Sequence, residues 1–154
     1  MFDFTGRTVL ITGATGALGT TLSTRFSAAG ANTVAAARTG ADRLAAQLDG
    51  PSLGVRLDAT SESDRTEAVQ RTEERFGPLD ILINNAAYLR VGTVESIPLD
   101  EFQRVFDTDV TGALLGIRAA APADFILFAA SDRARFATGS ELVADGGFTL
   151  GPLS

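Results

Sequence analysis

Three glycines, Gly13, Gly16 and Gly19, stand between a short β-branched run and an amphipathic stretch. The preceding run, residues 7–12, is typical of a buried strand, and apolar residues follow it at helical spacing. Glycines at such a turn let the backbone approach a pyrophosphate, which the free N–H groups and the dipole of a helix N-terminus stabilise. The turn therefore predicts nucleotide binding, and the alternative is a strand-to-helix turn with a purely structural role.

The residue that ends the second apolar run bears on which dinucleotide would bind. In dinucleotide-binding folds, an acidic residue roughly twenty positions past the glycine turn contacts the ribose 2′-hydroxyl, or an arginine accommodates a 2′-phosphate. Residues 35–38 read Ala-Ala-Ala-Arg, with no carboxylate among them. This pattern favours NADP(H) over NAD(H), and the alternative is that Arg38 only solvates the strand end.

Several side chains that enzymes use are missing from the sequence. There is no Cys, His or Lys, and all 13 basic residues are Arg. These absences exclude disulfides, thiol catalysis, serine activation by histidine and any lysine-dependent step within this chain. No cluster of oxygen ligands suggests a metal site. The net charge of −6 argues against a nucleic-acid-binding surface, which needs a basic footprint.

The hydrophobic pattern predicts the scaffold that would position these groups. Short apolar runs alternate with amphipathic stretches over 154 residues, which is typical of one α/β domain with a parallel sheet. Strands are predicted at residues 7–12, 33–37, 53–57, 79–86 and 141–144. Helices are predicted from Leu18 to Gly30, at 42–48, from Ser61 or Ser63 to Gly77, and at 99–120. In the last helix, Phe102, Val105, Phe106, Val110 and Leu114 are expected to face inward.

The glycine turn and two later segments resemble the short-chain dehydrogenase/reductase family. The family's cofactor turn is similar to Thr12-Gly13-Ala14-Thr15-Gly16-Ala17-Leu18-Gly19. In the commonest form of that turn the second glycine falls where Ala17 stands, whereas here it is Gly16, one position earlier. Asp58 and Ala59 resemble the segment whose Asp contacts the adenine. Asn84-Asn85-Ala86-Ala87 is similar to the family's Asn-Asn-Ala-Gly strand end, with Ala87 in place of Gly. The resemblance implies a Rossmann-like, doubly wound parallel sheet of order 3-2-1-4 plus a C-terminal strand, binding a nicotinamide dinucleotide.

The resemblance also exposes a gap near residues 120–123. The family has there a strand with a catalytic Ser, a helix with Tyr-x-x-x-Lys and the substrate loop, whereas this chain passes from Ala120 into a segment similar to the family's closing helix. Both flanks keep the family pattern, so we interpret the gap as an internal deletion within one domain, residues 1–154. The family's Tyr exchanges a proton while hydride moves, and its Lys lowers the pKa of that Tyr. Without them, the reaction is expected to be absent or severely reduced.

Two residues are weak candidates for a substitute catalyst. Tyr88, the only tyrosine, follows Ala87 directly and has Arg90 close by in sequence. Asp109 stands where the family has the Asn that holds a water in the proton relay. The alternatives are that Tyr88 lines a pocket wall or a subunit contact, and that Asp109 is a solvated or capping carboxylate.

Loss of later strands would leave the fourth strand as an apolar edge, which favours a homo-oligomer. No charged-then-apolar segment opens the sequence and no apolar run could span a bilayer, which favours a cytoplasmic protein. The leading hypothesis is an NADP(H)-binding oxidoreductase-type protein with little or no turnover. The alternatives are an oxidoreductase that uses a substitute acid or a partner chain, and a non-catalytic interaction or relic protein.

Overall fold

The computed structural model describes residues 2–93 and 95–120. The elements in chain order are β1 (Thr8–Thr12), α1 (Ala17–Ala28), β2 (Asn32–Ala37), α2 (Ala41–Ala45), β3 (Ser52–Arg56), α3 (Glu62–Phe76), β4 (Ile81–Ile83), α4 (Leu99–Phe106), a π-helical segment (Asp107–Thr111) and α5 (Gly112–Ala120). The four strands are parallel and lie in the order β3-β2-β1-β4. This confirms the predicted sheet order. The predicted strand at residues 141–144 lies outside the described residues.

Helices cover both faces of the sheet, which explains why the centre of β1, Val9 to Ile11, is apolar. All five of its residues are buried, because alternate side chains point to opposite faces and both faces are packed. Leu10 belongs to the core on the α3 side, with Val34, Val55 and Ala68. Val9 and Ile11 belong to the other core, against which Leu22 and Phe26 of α1 pack. The sheet is therefore doubly wound, as predicted.

β4 is shorter than the predicted strand at residues 79–86. It pairs with β1 only over Ile81–Ile83. Beyond it, the backbone N–H groups of Asn85 and Ala86 donate to the Thr12 hydroxyl at 3.1 and 3.0 Å. Because a side chain takes these donors, the sheet ladder ends and the chain turns across the end of β1.

The predicted helix over residues 99–120 is present, but its packing face was predicted wrongly. Phe102, Phe106, Val110 and Leu114 are 46–57% exposed within the described part of the chain, and Val105 is half-buried. The helix instead approaches the domain through Gly112 and Gly116, where a Cβ atom would lie 2.9 Å from the Ala59 oxygen and 2.5 Å from the Asn84 side-chain oxygen. Glycine permits this close approach, so small residues rather than large apolar ones define the buried face.

Candidate functional site

A cleft of about 400 Å³ opens beyond the carboxyl ends of the strands. In the sheet order, β1 has β2 on one side and β4 on the other, so the connections run in opposite directions on the two sides of β1. Open α/β sheets bind their ligands at such a switch point. The cleft collects all the residues predicted to contact a dinucleotide except Thr12. These are Gly13, Thr15, Gly16, Ala17, Leu18, Gly19, Arg38, Asp58, Ala59, Asn85, Ala86 and Ala87.

The glycines of the turn let its backbone line the cleft at close quarters. Gly13 has a φ of 64°, and a Cβ atom there would lie 2.8 Å from the Ala86 Cα. A Cβ atom on Gly19 would lie 2.7 Å from the Ala14 Cα. Neither position can therefore carry a side chain without displacing backbone.

Gly16 is the N-cap residue of α1 and supplies no side chain to bond the first-turn N–H groups. The first turn also contains no acidic residue. Helix N–H groups at this end have no acceptor within the helix, and the helix dipole adds partial positive charge. Gly16, Ala17, Leu18 and Gly19 all line the cleft, so this end of α1 offers donors of the kind that bind an anion.

Thr12 lies below the cleft and links β1 to β4. It is fully buried, and its hydroxyl also donates to the Ile83 carbonyl at 3.3 Å. The Asn85 side-chain amide donates to the carbonyls of Thr12 and Gly13, at 2.9 and 3.2 Å. Thr12 therefore supports the glycine turn from behind instead of lining the cleft.

Arg38 and Asp58 lie at the end of the cleft formed by β2 and β3. Asp58 accepts hydrogen bonds from the backbone N–H and hydroxyl of Thr60, at 2.9 and 2.8 Å. These bonds lower the pKa of Asp58 and outweigh the opposing effect of burial. The nearby charges of Arg38 and Arg56 add to the lowering. Asp58 is thus an ionised acceptor at neutral pH, beside an exposed arginine.

Tyr88 lies at the opposite end, where its proton is held by a carboxylate. Its hydroxyl donates to Glu101 Oε2 at 2.7 Å, and the Arg104 guanidinium stacks over its ring at 4.2 Å. The bond to Glu101 raises the pKa of Tyr88, and burial adds to the effect. Arg90 Nε lies 3.8 Å from the same Glu101 oxygen, and the charges of Arg104 and Arg90 oppose the rise in the pKa of Tyr88 without cancelling it. This arrangement works against proton release from Tyr88.

Asp109 holds the backbone next to the cleft. Its Oδ1 accepts from the backbone N–H of Tyr88 at 2.8 Å. It belongs to the π-helical segment, as does the cleft-lining Thr108. Such segments inside α-helices are frequent at functional sites because they change which side chains face a neighbour. The structure thus gives Asp109 a hydrogen bond to the backbone of the segment that carries Tyr88.

Sequence reasoning missed five of the cleft-lining residues: Ala37, Thr39, Leu57, Arg104 and Thr108. The first three are chain neighbours of predicted residues, so the strand ends could have indicated them. Arg104 and Thr108 stand one helical turn apart, and only the fold brings that turn to the cleft. Among the described residues, no group of three acidic side chains could hold a metal ion, and none of the helices could cross a membrane.

The fold and the cleft define a Rossmann-like α/β domain. The family model for short chain dehydrogenases matches residues 7–133. The chain belongs to the short-chain dehydrogenase/reductase family.

Relatives and a solved structure support the same assignment. The chain is 37% identical over 128 residues to trans-4-hydroxycyclohexanecarboxylate dehydrogenase of Sinomonas cyclohexanicum, covering 76% of this chain and 49% of that protein. It is 43% identical over 76 residues to 3-alpha-(or 20-beta)-hydroxysteroid dehydrogenase of Mycobacterium bovis, covering 49% and 29%. The crystal structure of a short-chain type dehydrogenase/reductase from Mycobacterium marinum matches with a TM-score of 0.71 at 35% identity, covering 78% of this chain and 49% of that one. The chain spans about half the length of the first of these relatives.

Proposed function

We propose that this chain binds NADP(H) in the cleft, as an oxidoreductase-type protein with absent or severely reduced hydride transfer. The observation that carries the proposal is the backbone-only turn at Gly13, Gly16 and Gly19, which opens the N-terminus of α1 to the cleft. The residues present fit a dinucleotide, because neither a capping side chain nor a first-turn carboxylate competes with a pyrophosphate for these N–H groups. Membership of a dehydrogenase family supports a nicotinamide dinucleotide.

The two ends of the cleft supply the remaining contacts. Arg38 would meet a 2′-phosphate, since residues 35–38 carry no carboxylate to receive a bare ribose hydroxyl. Asp58 and Ala59 would hold the adenine. Ala86, Ala87 and Tyr88 would face the nicotinamide, which supplies hydride chemistry when it is bound.

The chain's own residues argue against efficient turnover. A phenol that serves as the proton donor needs a lowered pKa, which a neighbouring cation would provide. The chain contains no lysine, and the bond to Glu101 raises the pKa of Tyr88 despite the opposing charges of Arg104 and Arg90. If the segment missing near residues 120–123 is supplied by a partner chain, activity would appear only in a mixture with that partner.

We further propose that the chain forms a homo-oligomer. The exposed apolar residues Phe102, Phe106, Val110 and Leu114 and the half-buried strand β4 support this proposal, because large apolar patches favour association. Light scattering on the full chain tests it: a monomer mass at micromolar concentration would rule the oligomer out.

The test of the main proposal is titration with NADPH and with NADH, read by nucleotide fluorescence and by the shift in Tm. We expect NADPH to bind more tightly. Arg38→Asp should weaken NADPH binding at least about tenfold, or about 1.4 kcal/mol, and change NADH binding much less. Arg25→Asp makes the same charge change in the last turn of α1, away from the cleft, and should leave both affinities unchanged. No binding of either nucleotide would refute the proposal, and turnover by the isolated chain would favour a substitute acid.

A further inference from the structure

Arg65 in α3 is a buried cation that the proposed binding mode does not use. The residue is only 3% exposed. Its Nε donates to the Ala59 carbonyl at 3.3 Å and its Nη1 donates to Asn84 Oδ1 at 3.0 Å. Both partners are neutral, and no ion pair of Arg65 is found within the described residues. Burial lowers the pKa of Arg65, and the charge of Asp58 opposes that shift.

The two acceptors of Arg65 lie in, or directly next to, two segments that line the cleft. Ala59 lines the wall formed after β3. Asn84 directly precedes Asn85, whose amide holds the carbonyls of Thr12 and Gly13. One guanidinium therefore connects the Asp58–Ala59 turn to the end of β4.

α5 closes over this connection. A Cβ atom on Gly116 would lie 2.5 Å from Arg65 Nη1 and 2.5 Å from Asn84 Oδ1. The Asn84 amide also donates to the Ala113 carbonyl at 3.4 Å. The absence of a side chain at position 116 is thus what leaves room for the guanidinium and the Asn84 amide to meet.

Stability alone is a poor explanation for a charge in this place. Removing a cation from water is unfavourable, and even buried ion pairs can often be replaced by apolar side chains of similar volume without loss of stability. What an apolar side chain cannot do is donate in two fixed directions, as the planar guanidinium does.

We propose that Arg65 is a positioning residue, which sets the distance between the Ala59 wall and the Asn85–Ala87 wall of the cleft. Its effect on the fold is local to these two walls. Its effect on nucleotide affinity rests on the proposed function, because it requires that the cleft hold a dinucleotide.

The test compares Arg65→Met, which keeps the aliphatic stem and removes the donors, with Arg65→Lys, which keeps the charge. Arg71→Met makes the same substitution at an exposed position of α3 and serves as the control. Hydrogen exchange is measured at the amides of Asn85 and Ala86, and at Leu10 and Val34 in the centre of the sheet. The Kd for NADPH is measured in parallel.

We expect Arg65→Met to speed exchange at Asn85 and Ala86 at least about tenfold and to leave Leu10 and Val34 unchanged. The Kd for NADPH should rise about tenfold, and Arg65→Lys should recover part of both effects. Gly116→Ala, which displaces the guanidinium without removing it, should raise the same two exchange rates.

Three outcomes separate the explanations. Unchanged exchange at Asn85 and Ala86 in Arg65→Met, or a uniform rise that includes Leu10 and Val34, would overturn the positioning role. The local exchange change together with no NADPH binding by the unmodified chain would refute the proposed function and leave the positioning of the walls intact. If Arg65→Met does not fold, Gly116→Ala and Arg65→Lys decide by the same exchange measurement.

Discussion

The side chain of Asn85 donates to the backbone carbonyls of Thr12 and Gly13, at 2.9 and 3.2 Å. In return, the Thr12 hydroxyl accepts the backbone N–H groups of Asn85 and Ala86. The end of β4 and the start of the glycine turn are therefore one hydrogen-bonded unit. The conformation of the nucleotide cleft depends on residues that are more than 70 positions apart in the chain.

Replacing Asn85 tests this unit. Asn85→Ala leaves the carbonyls of Thr12 and Gly13 without their amide donor, so the free energy of unfolding should fall by about 1–3 kcal/mol. Urea denaturation measures the change. Asn32→Ala is the matched control, because its amide meets the Thr8 hydroxyl only at 3.4 Å and should cost less than about 0.5 kcal/mol. Equal losses in the two variants would contradict the link.

Replacing Gly13 separates backbone strain from close approach. Gly13→Ala places a methyl group 2.8 Å from the Ala86 Cα at a φ of 64°. Gly6→Ala is strained in the same way, at a φ of 76°, but has nothing within 4 Å of its Cβ. We expect Gly6→Ala to lower the free energy of unfolding by about 1–2 kcal/mol and Gly13→Ala to lower it more, with loss of NADPH binding. Similar unfolding energies with NADPH binding retained would mean that the Ala86 backbone gives way easily.

The sequence predicted the sheet because β1 and the turn after it are locally consistent. A fully buried strand with an apolar centre, glycines and an amphipathic helix all favour the same strand-to-helix unit, and the sheet order is confirmed. The predicted β4 was too long, because its last donors bond to a threonine side chain from another strand. The local hydrophobic pattern cannot show that a hydroxyl from a strand distant in sequence takes hydrogen bonds that would otherwise extend the sheet.

The site was predictable where it lies at strand ends and unpredictable where helices pack. The residues from Gly13 to Gly19, with Arg38 and Asp58, meet at one cleft because parallel strands end at the same edge. Periodicity placed Phe102 and its neighbours inward, whereas the helix packs through Gly112 and Gly116. Arg65 went unnoticed because an arginine on a polar helix is usually exposed, and only the tertiary structure buries it.

Acid should destabilise the domain through three aspartates. The pKa values of Asp58, Asp64 and Asp80 are all lowered from 3.8. The main cause is hydrogen bonding from Thr60 for Asp58, and the hydrogen bond from the Asp58 backbone N–H for Asp64. For Asp80, burial raises the pKa, but the hydrogen bonds from Thr8 and Arg7 together outweigh it. A carboxylate whose pKa is lower in the folded than in the unfolded state stabilises the fold at pH values above its unfolded-state pKa. This contribution is lost as the pH falls through the folded-state pKa. The free energy of unfolding should therefore change little from about pH 7 to about pH 5 and decline below about pH 4.

Asp64→Asn isolates one part of this acid transition. Asp64 Oδ2 accepts the Asp58 backbone N–H at 2.9 Å, so the substitution should make the decline at low pH shallower. Asp49→Asn removes an exposed loop carboxylate and should leave the slope unchanged. Urea denaturation as a function of pH gives both slopes, and parallel curves for Asp64→Asn and the unmodified chain would contradict the assignment.

The ionisation of Tyr88 can be measured without interference, because it is the only tyrosine and the chain has no tryptophan. Its hydrogen bond to Glu101 raises its pKa above 10.0, so phenolate absorbance should appear only at a higher pH than for a free tyrosine. Glu101→Gln should shift the midpoint down towards 10.0, since the amide no longer holds the proton as a carboxylate does. Glu74→Gln removes a carboxylate of α3 that accepts from Gln70, and should leave the midpoint unchanged. A midpoint at or below 10.0 in the unmodified chain would mean that Tyr88 releases its proton readily, which would restore it as a candidate proton donor.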